Sequence, residues 1–106
     1  MRNLHPVPDS IVAKIQIFLL QPIPPNGSQF RRKWEDQCRS LPPGADEVLL
    51  ETLRRGTPAE QDSALVALKS LGWDVMERGE IGDKTYMLRS RGEKEWQTIR
   101  PMLQLD

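Results

Sequence analysis

The stretch TPAEQDSALVALKSLGW, residues 57–73, carries the clearest structural signals in the chain. Thr57 can accept a hydrogen bond as a helix N-cap, Pro58 suits the first helical position, and Glu60 completes a capping box. Gly72 provides the left-handed residue with which many helices end. The stretch therefore predicts a helix. Its apolar stripe consists of Ala64, Leu65, Leu68 and Leu71.

After this helix the apolar period changes to two, which is typical of strands. Residues 73–78 and 84–89 alternate in this way, and the connection 79–83 contains two glycines, so the pattern predicts a β-hairpin. Gly92 then precedes a segment that we predict to be a short last helix, which Pro101 ends or kinks. The inward residues of that helix are expected to be Trp96, Ile99 and Leu103.

Two further helices are predicted between residues 28 and 55. One covers residues 45–55, and the other follows Ser28 as its N-cap. Proline-rich loops at 21–27 and 42–44 interrupt the chain, because proline fixes φ and lacks the backbone donor that a helix needs. The face of the second helix that we expect to pack in the core carries Phe30, Trp34, Cys38 and Leu41.

The segment 10–20 fits two structures. Ile11, Val12, Ile15, Phe18 and Leu19 have helical spacing after possible caps at Asp9 and Ser10, and we predict a helix. Alternate residues of the same segment are also apolar, and its three isoleucines and one valine favour extended backbone. The pattern alone leaves the strand open.

These elements predict one α+β, mainly helical domain over residues 1–106, with four to five short helices and one C-terminal β-hairpin. We expect residues 1–8 to be flexible. Trp34, Trp73 and Trp96 are expected at the edges of the core.

The composition excludes several classes of function. One cysteine, Cys38, rules out an internal disulfide framework, and one histidine, His5, rules out a conventional zinc or histidine-based catalytic cluster. Cys38 is expected to pack as a small hydrophobe. We therefore predict no enzymatic activity and no cofactor. Residues 1–9 lack an apolar run, and residues 11–20 are too short to cross a bilayer, so we expect a cytoplasmic protein with no membrane partner.

The charges balance at fifteen on each side, but the cations are clustered. One cluster, Arg31, Arg32, Lys33 and Arg39, interleaves with two aromatic residues. It fits a solvated helix face, a stacking surface for single-stranded nucleic acid, or a protein-binding face rich in the residues of interface hot spots. We predict that these four cations contact a partner.

The segment VLLETLRRG at 48–56, the segment LVALKSLGW at 65–73 and a hairpin ending in YMLR at 86–89 follow one another in the chain. Through these segments, residues 45–91 resemble a winged-helix DNA-binding domain. The resemblance implies that Lys69 and Ser70 lie on a recognition helix and that the hairpin forms the wing. The cations that would contact DNA are Lys69, Arg78, Lys84, Arg89 and Arg91.

In general profile the chain is similar to small accessory proteins of phages and mobile elements, including anti-CRISPR proteins. The leading hypothesis is a small non-enzymatic binding protein that acts stoichiometrically on a protein or ribonucleoprotein partner, such as a host-defence (CRISPR-Cas) complex that it inhibits. The alternative is a winged-helix-like DNA-binding transcriptional regulator. A third hypothesis is a subunit of a larger assembly.

Overall fold

A computed structural model describes residues 9–80 and 83–102 of the chain. Its elements, in chain order, are α1 (Asp9–Leu19), α2 (Gln29–Arg39), α3 (Ala45–Arg55), α4 (Pro58–Ser70), β1 (Asp74–Glu80), β2 (Asp83–Arg89) and β3 (Gln97–Ile99). The α+β, mainly helical class is confirmed, and the proline-rich segments 21–27 and 42–44 lie between helices. Residues 1–8, which we expected to be flexible, lie outside the described residues.

The segment left open between helix and strand is helix α1. Ile15, Phe18 and Leu19 are buried, with Ile11 and Val12 packed partly against the core, as helical spacing predicts. The predicted caps are wrong in detail, because Asp9 and Ser10 lie inside the first turn. Burying one helical face outweighs the strand preference of the isoleucines.

The predicted packed face of α2 is confirmed at Trp34, Cys38 and Leu41 and is wrong at Phe30. Trp34 is only 3% exposed and stacks on Phe18 with ring centroids 5.4 Å apart, so it belongs to the core and not to its edge. Phe30, predicted to be buried, is 62% exposed. The proline-rich loop meets α2 on the Arg31 side, where the Arg31 guanidinium donates to the carbonyl oxygen of Pro24.

Helix α4 lies at the centre of the molecule and contacts α1, α2, α3 and β1. The predicted capping box is confirmed: Thr57 Oγ1 accepts from the amide of Glu60, and the Glu60 carboxylate accepts from the amide of Thr57. Burial extends beyond the apolar stripe to Gln61 and Ser63. The side-chain amide of Gln61 is satisfied by the carbonyl oxygen of Gly56.

The three strands form an antiparallel sheet in the order β1-β2-β3. Asp74 pairs with Arg89, Glu80 pairs with Asp83, and β3 continues the sheet through the pair Tyr86 with Ile99. Tyr86, Leu88 and Ile99 are buried against the helices.

The predicted last helix is wrong, because its residues 97–99 form β3. Residues 97–99 hold the β-branched Thr98 and Ile99, and pairing with β2 satisfies backbone groups that β2 would otherwise leave open. Ile99 is buried, as predicted, whereas Trp96 is only half-buried, and Leu103 lies outside the described residues. Past the strand, Pro101 is buried and the amide of Met102 donates to the carbonyl oxygen of Arg54 at 2.7 Å.

Candidate functional site

Two surfaces bring together the candidate residues. The first is the face of the sheet that points away from the helices, which we call the outer sheet face. Successive side chains of a strand point to opposite faces, so the burial of Tyr86, Leu88 and Ile99 assigns their neighbours to this face. It consists of Asp74, Met76, Arg78 and Glu80 on β1, Asp83, Thr85, Met87 and Arg89 on β2, and Trp96, Thr98 and Arg100 on and beside β3.

At one end of the outer sheet face, Arg89 is held from both sides. Its Nε donates to the Asp74 carboxylate at 2.8 Å, and its guanidinium carbon lies 4.5 Å from the centroid of the Trp96 ring. A guanidinium over an indole face gains a cation–π attraction in addition to the packing area. The row Asp74, Arg89 and Trp96 therefore presents a flat, pre-ordered surface that spans the three strands.

The middle of the outer sheet face is apolar. Met76 pairs with Met87, and Met87 pairs with Thr98, so one row crosses the sheet. Met76 is 39% exposed, and no element among residues 9–80 and 83–102 contacts this face strongly enough to bury it. A sheet face turned to water usually carries polar residues. Two methionines at its centre are typical of a surface that a partner covers.

The far end of the outer sheet face carries Arg78 opposite Thr85, with Arg100 paired to Asp83. Arg78 is exposed and has no ion-pair partner in the described part of the chain. Over the whole face, three arginines stand against three acidic residues. The surface is therefore close to neutral, unlike one built to follow a phosphate backbone.

The hairpin does not gather the predicted wing cations on one side. Arg78 and Arg89 lie on the outer sheet face, whereas Lys84 is in register with Gly79 on the opposite face and lies 3.9 Å from the Glu77 carboxylate. Arg91 lies past the end of β2, and a Cβ built on Gly72 would be 3.5 Å from its Cδ. Arg91 therefore packs at the C-terminal end of α4.

The second surface is an open depression of about 360 Å³ between α2 and α4, which we call the α2–α4 depression. Two of the four predicted partner-binding cations, Arg31 and Arg39, line it together with Lys69. The other two, Arg32 and Lys33, are exposed on α2 outside it. The remaining lining residues are Glu35, Val66 and Ser70.

Arg31 is fixed within the α2–α4 depression. Its Nε donates to the Glu35 carboxylate at 3.1 Å, its Nη1 donates to the carbonyl oxygen of Pro24 at 3.2 Å, and its guanidinium carbon lies 5.7 Å from the Trp34 ring centroid. Arg39 pairs with Asp36 at 2.8 Å. Lys69 is exposed and has no ion-pair partner among the described residues.

The helix that the winged-helix resemblance assigns to DNA recognition is largely enclosed. Gln61 and Ser63 in its N-terminal half are buried, and Asp62 is the exposed residue between them. A recognition helix inserts its N-terminal residues into the major groove, where a carboxylate meets phosphate repulsion. The DNA-binding hypothesis stays a prediction, and the burial of α4 gives it no support.

Cys38 packs in the core, as predicted, with no measurable exposure. Burial, with a smaller contribution from the Glu35 carboxylate, raises the pKa of its thiol to about 12. The thiolate is the nucleophilic form of cysteine, so Cys38 is chemically quiet at neutral pH. Within the described ranges, no three His, Cys, Asp or Glu side chains come together as metal ligands, and no helix is long and apolar enough to span a bilayer.

Comparisons of the chain with protein-family models, with curated proteins and with solved structures gave no match. The candidate residues therefore rest on geometry alone. Sequence reasoning missed Met76, Met87 and Trp96 as surface residues of one face. The period-two alternation contained part of that signal, because it puts Met76 and Met87 opposite to the inward Val75 and Leu88.

Proposed function

We propose that this chain is a small non-enzymatic binding protein that acts stoichiometrically on a protein or ribonucleoprotein partner through its outer sheet face. The observation that carries the proposal is the row Met76, Met87 and Thr98, in which Met76 and Thr98 are exposed and Met87 is half-buried, next to the stacked pair Arg89 and Trp96. Tryptophan, arginine and methionine are enriched at protein interfaces, and tryptophan and arginine dominate their binding energy.

The balance of charge supports a protein contact over a contact with phosphates. Arg89 is paired with Asp74 and Arg100 with Asp83, so Arg78 is the cation of the outer sheet face that has no ion pair within residues 9–80 and 83–102. A partner surface that is mainly apolar would cover the two methionines, and a polar rim would meet the ion pairs.

Two narrower hypotheses concern the identity of the partner. A host-defence ribonucleoprotein as the target is proposed from the general profile of the chain, and no particular residue carries it. DNA binding would require Lys69, Arg78, Lys84, Arg89 and Arg91 to act together. These cations lie on separate surfaces, which does not favour a common contact with DNA.

Affinity capture tests the proposal. The tagged chain is used to capture partners from a host-type lysate with and without nuclease, in parallel with Met76→Glu and with Ile17→Glu. Ile17 is 63% exposed on α1, so its variant is a matched control that also adds a carboxylate to an exposed apolar site. We expect a stoichiometric partner that survives nuclease, is retained by Ile17→Glu and is lost by Met76→Glu.

Three results would contradict the proposal. One is the absence of any stoichiometric partner, and another is equal capture by the wild type and Met76→Glu. The third is recovery that depends wholly on free nucleic acid, which would favour the DNA-binding alternative. Thermal unfolding of both variants checks that a lost partner does not reflect a lost fold.

A further inference from the structure

We propose that the α2–α4 depression binds an acidic peptide segment through its carboxylates. This site shares no residue with the outer sheet face. The inference goes beyond the proposed function by naming the chemistry of a second contact, and it depends on that function only in taking the ligand to be a protein.

The charge of the depression sets the charge of its ligand. Three cations, Arg31, Arg39 and Lys69, line the depression. Glu35 pairs with Arg31 and Asp36 pairs with Arg39, so the net charge of these five groups is +1, and Lys69 carries it without an ion pair among the described residues. A net positive charge favours a ligand that brings carboxylates. Arg39 and Lys69 also lie in the last turns of their helices, where the helix dipole favours cations. That position stabilises each helix by itself, but it does not explain why both cations line the same depression as Arg31.

The donors of the depression are partly pre-ordered. Arg31 uses two of its five N–H groups, on Glu35 and Pro24, and is 18% exposed, so three donors are held in a fixed plane. A guanidinium in this state can bind a carboxylate without first losing side-chain freedom. Lys69 offers a mobile ammonium group from the facing helix.

A carboxylate fits the depression better than a phosphate backbone does. The Glu35 carboxylate lines the depression and repels a ligand with high charge density. The chain as a whole has no excess of positive charge to attract a polyanion from a distance. The separate single charges of an acidic peptide suit a depression with a net charge of +1 better.

The test titrates the full chain with a blocked hexaglutamate peptide by calorimetry at low ionic strength, with hexaglutamine as the uncharged control. Lys69→Gln removes the cation that has no partner and leaves the Arg31 contacts intact. Lys33→Gln is the matched control, because Lys33 is exposed on α2 outside the depression. We expect Lys69→Gln to weaken hexaglutamate binding about five-fold and Lys33→Gln to change it less than about two-fold.

Several outcomes would overturn the inference. The first is that the wild type does not bind hexaglutamate, and the second is that Lys69→Gln and Lys33→Gln weaken its binding equally. The third is that inorganic phosphate or a thymidine oligonucleotide binds more strongly than hexaglutamate and that Lys69→Gln weakens this binding. Met76→Glu should bind hexaglutamate like the wild type. Failure at the depression is therefore distinguishable from failure of the proposed function.

Discussion

Arg89 lies over the indole of Trp96 at 4.5 Å and donates to Asp74 at 2.8 Å, so one side chain of the central strand connects both edges of the sheet. Trp96 comes one residue before β3. The stack therefore closes the connection 90–96 and sets the position at which β3 joins β2. The same contact holds Arg89 and Trp96 in place on the outer sheet face, so local stability and partner binding depend on the same two residues.

Replacement of Trp96 should affect binding more than folding. Trp96→Ala removes the stack and is expected to cost about 1–2 kcal/mol of unfolding free energy and to abolish partner capture, because tryptophan is among the residues that contribute most to the binding energy of an interface. Trp96→Phe keeps an aromatic face and should retain most of the stability and most of the partner capture. Urea unfolding and affinity capture measure the two effects. If Trp96→Ala captured the partner as well as the wild type does, the partner would not bind through the outer sheet face.

The capping box should contribute measurably to stability. Thr57→Ala removes the oxygen that accepts from the Glu60 amide and should lower the free energy of unfolding by about 1 kcal/mol. Thr57→Ser keeps that oxygen and should lose less than half as much. Urea unfolding of the three proteins checks this prediction. Equal losses in the two variants would indicate that the methyl group of Thr57, and not the cap, is responsible.

Glycine is required more strongly at residue 79 than at residue 92. Both have positive φ, +93° and +87°, but a Cβ on Gly79 would collide with the carbonyl oxygen of Asp83, whereas a Cβ on Gly92 meets nothing within 4 Å. We expect Gly92→Ala to cost about 1 kcal/mol and Gly79→Ala more than about 2 kcal/mol. Thermal or urea unfolding ranks them, and the reverse order would contradict the hairpin geometry.

Cys38 should make the chain less stable in alkali. Burial raises the pKa of its thiol from 9.0 to about 12, so above pH 9 the unfolded chain loses this proton before the folded chain does. The contribution of Cys38 is complete below pH 9 and falls as the pH rises toward 12. Between about pH 8 and pH 10.5, the wild type should therefore lose more unfolding free energy than Cys38→Ala, by on the order of 1 kcal/mol. Burial also raises the pKa of Tyr86, but that effect is common to both proteins. If the unfolding free energies of the wild type and Cys38→Ala fell equally with pH, the buried thiol would not be the cause of the loss.

The sequence was informative where the signal is local. The Thr57 cap, the Ser28 cap and the left-handed Gly72 that ends α4 depend on neighbouring residues, and the structure confirms all three. Strand β3 was missed because its pairing partner, β2, lies about ten residues away and its spacing of apolar residues also fits a helix. Phe30 was misplaced for a related reason. The loop that covers α2 approaches from the Arg31 side, which helix periodicity cannot indicate.

The candidate surfaces were only half predictable. Runs of cations were visible in the sequence, but their grouping depends on how the helices pack: Lys69 joins Arg31 and Arg39 across two helices, and Lys33 points elsewhere. The outer sheet face needed the strand register, because only the pairing of β2 with β3 aligns Trp96 with Arg89.

Oxidative footprinting of methionine tests the central claim most directly. Met76 and Met87 lie on the outer sheet face, whereas Met102 is 73% exposed beside the C-terminal end of α3 and acts as an internal control. The free protein and its captured complex are treated with the same dose of peroxide, and sulfoxide at each site is measured by mass spectrometry. The outer-face account predicts that the complex protects Met76 and Met87 and leaves Met102 reactive. Unchanged oxidation of Met76 and Met87 in the complex would contradict it.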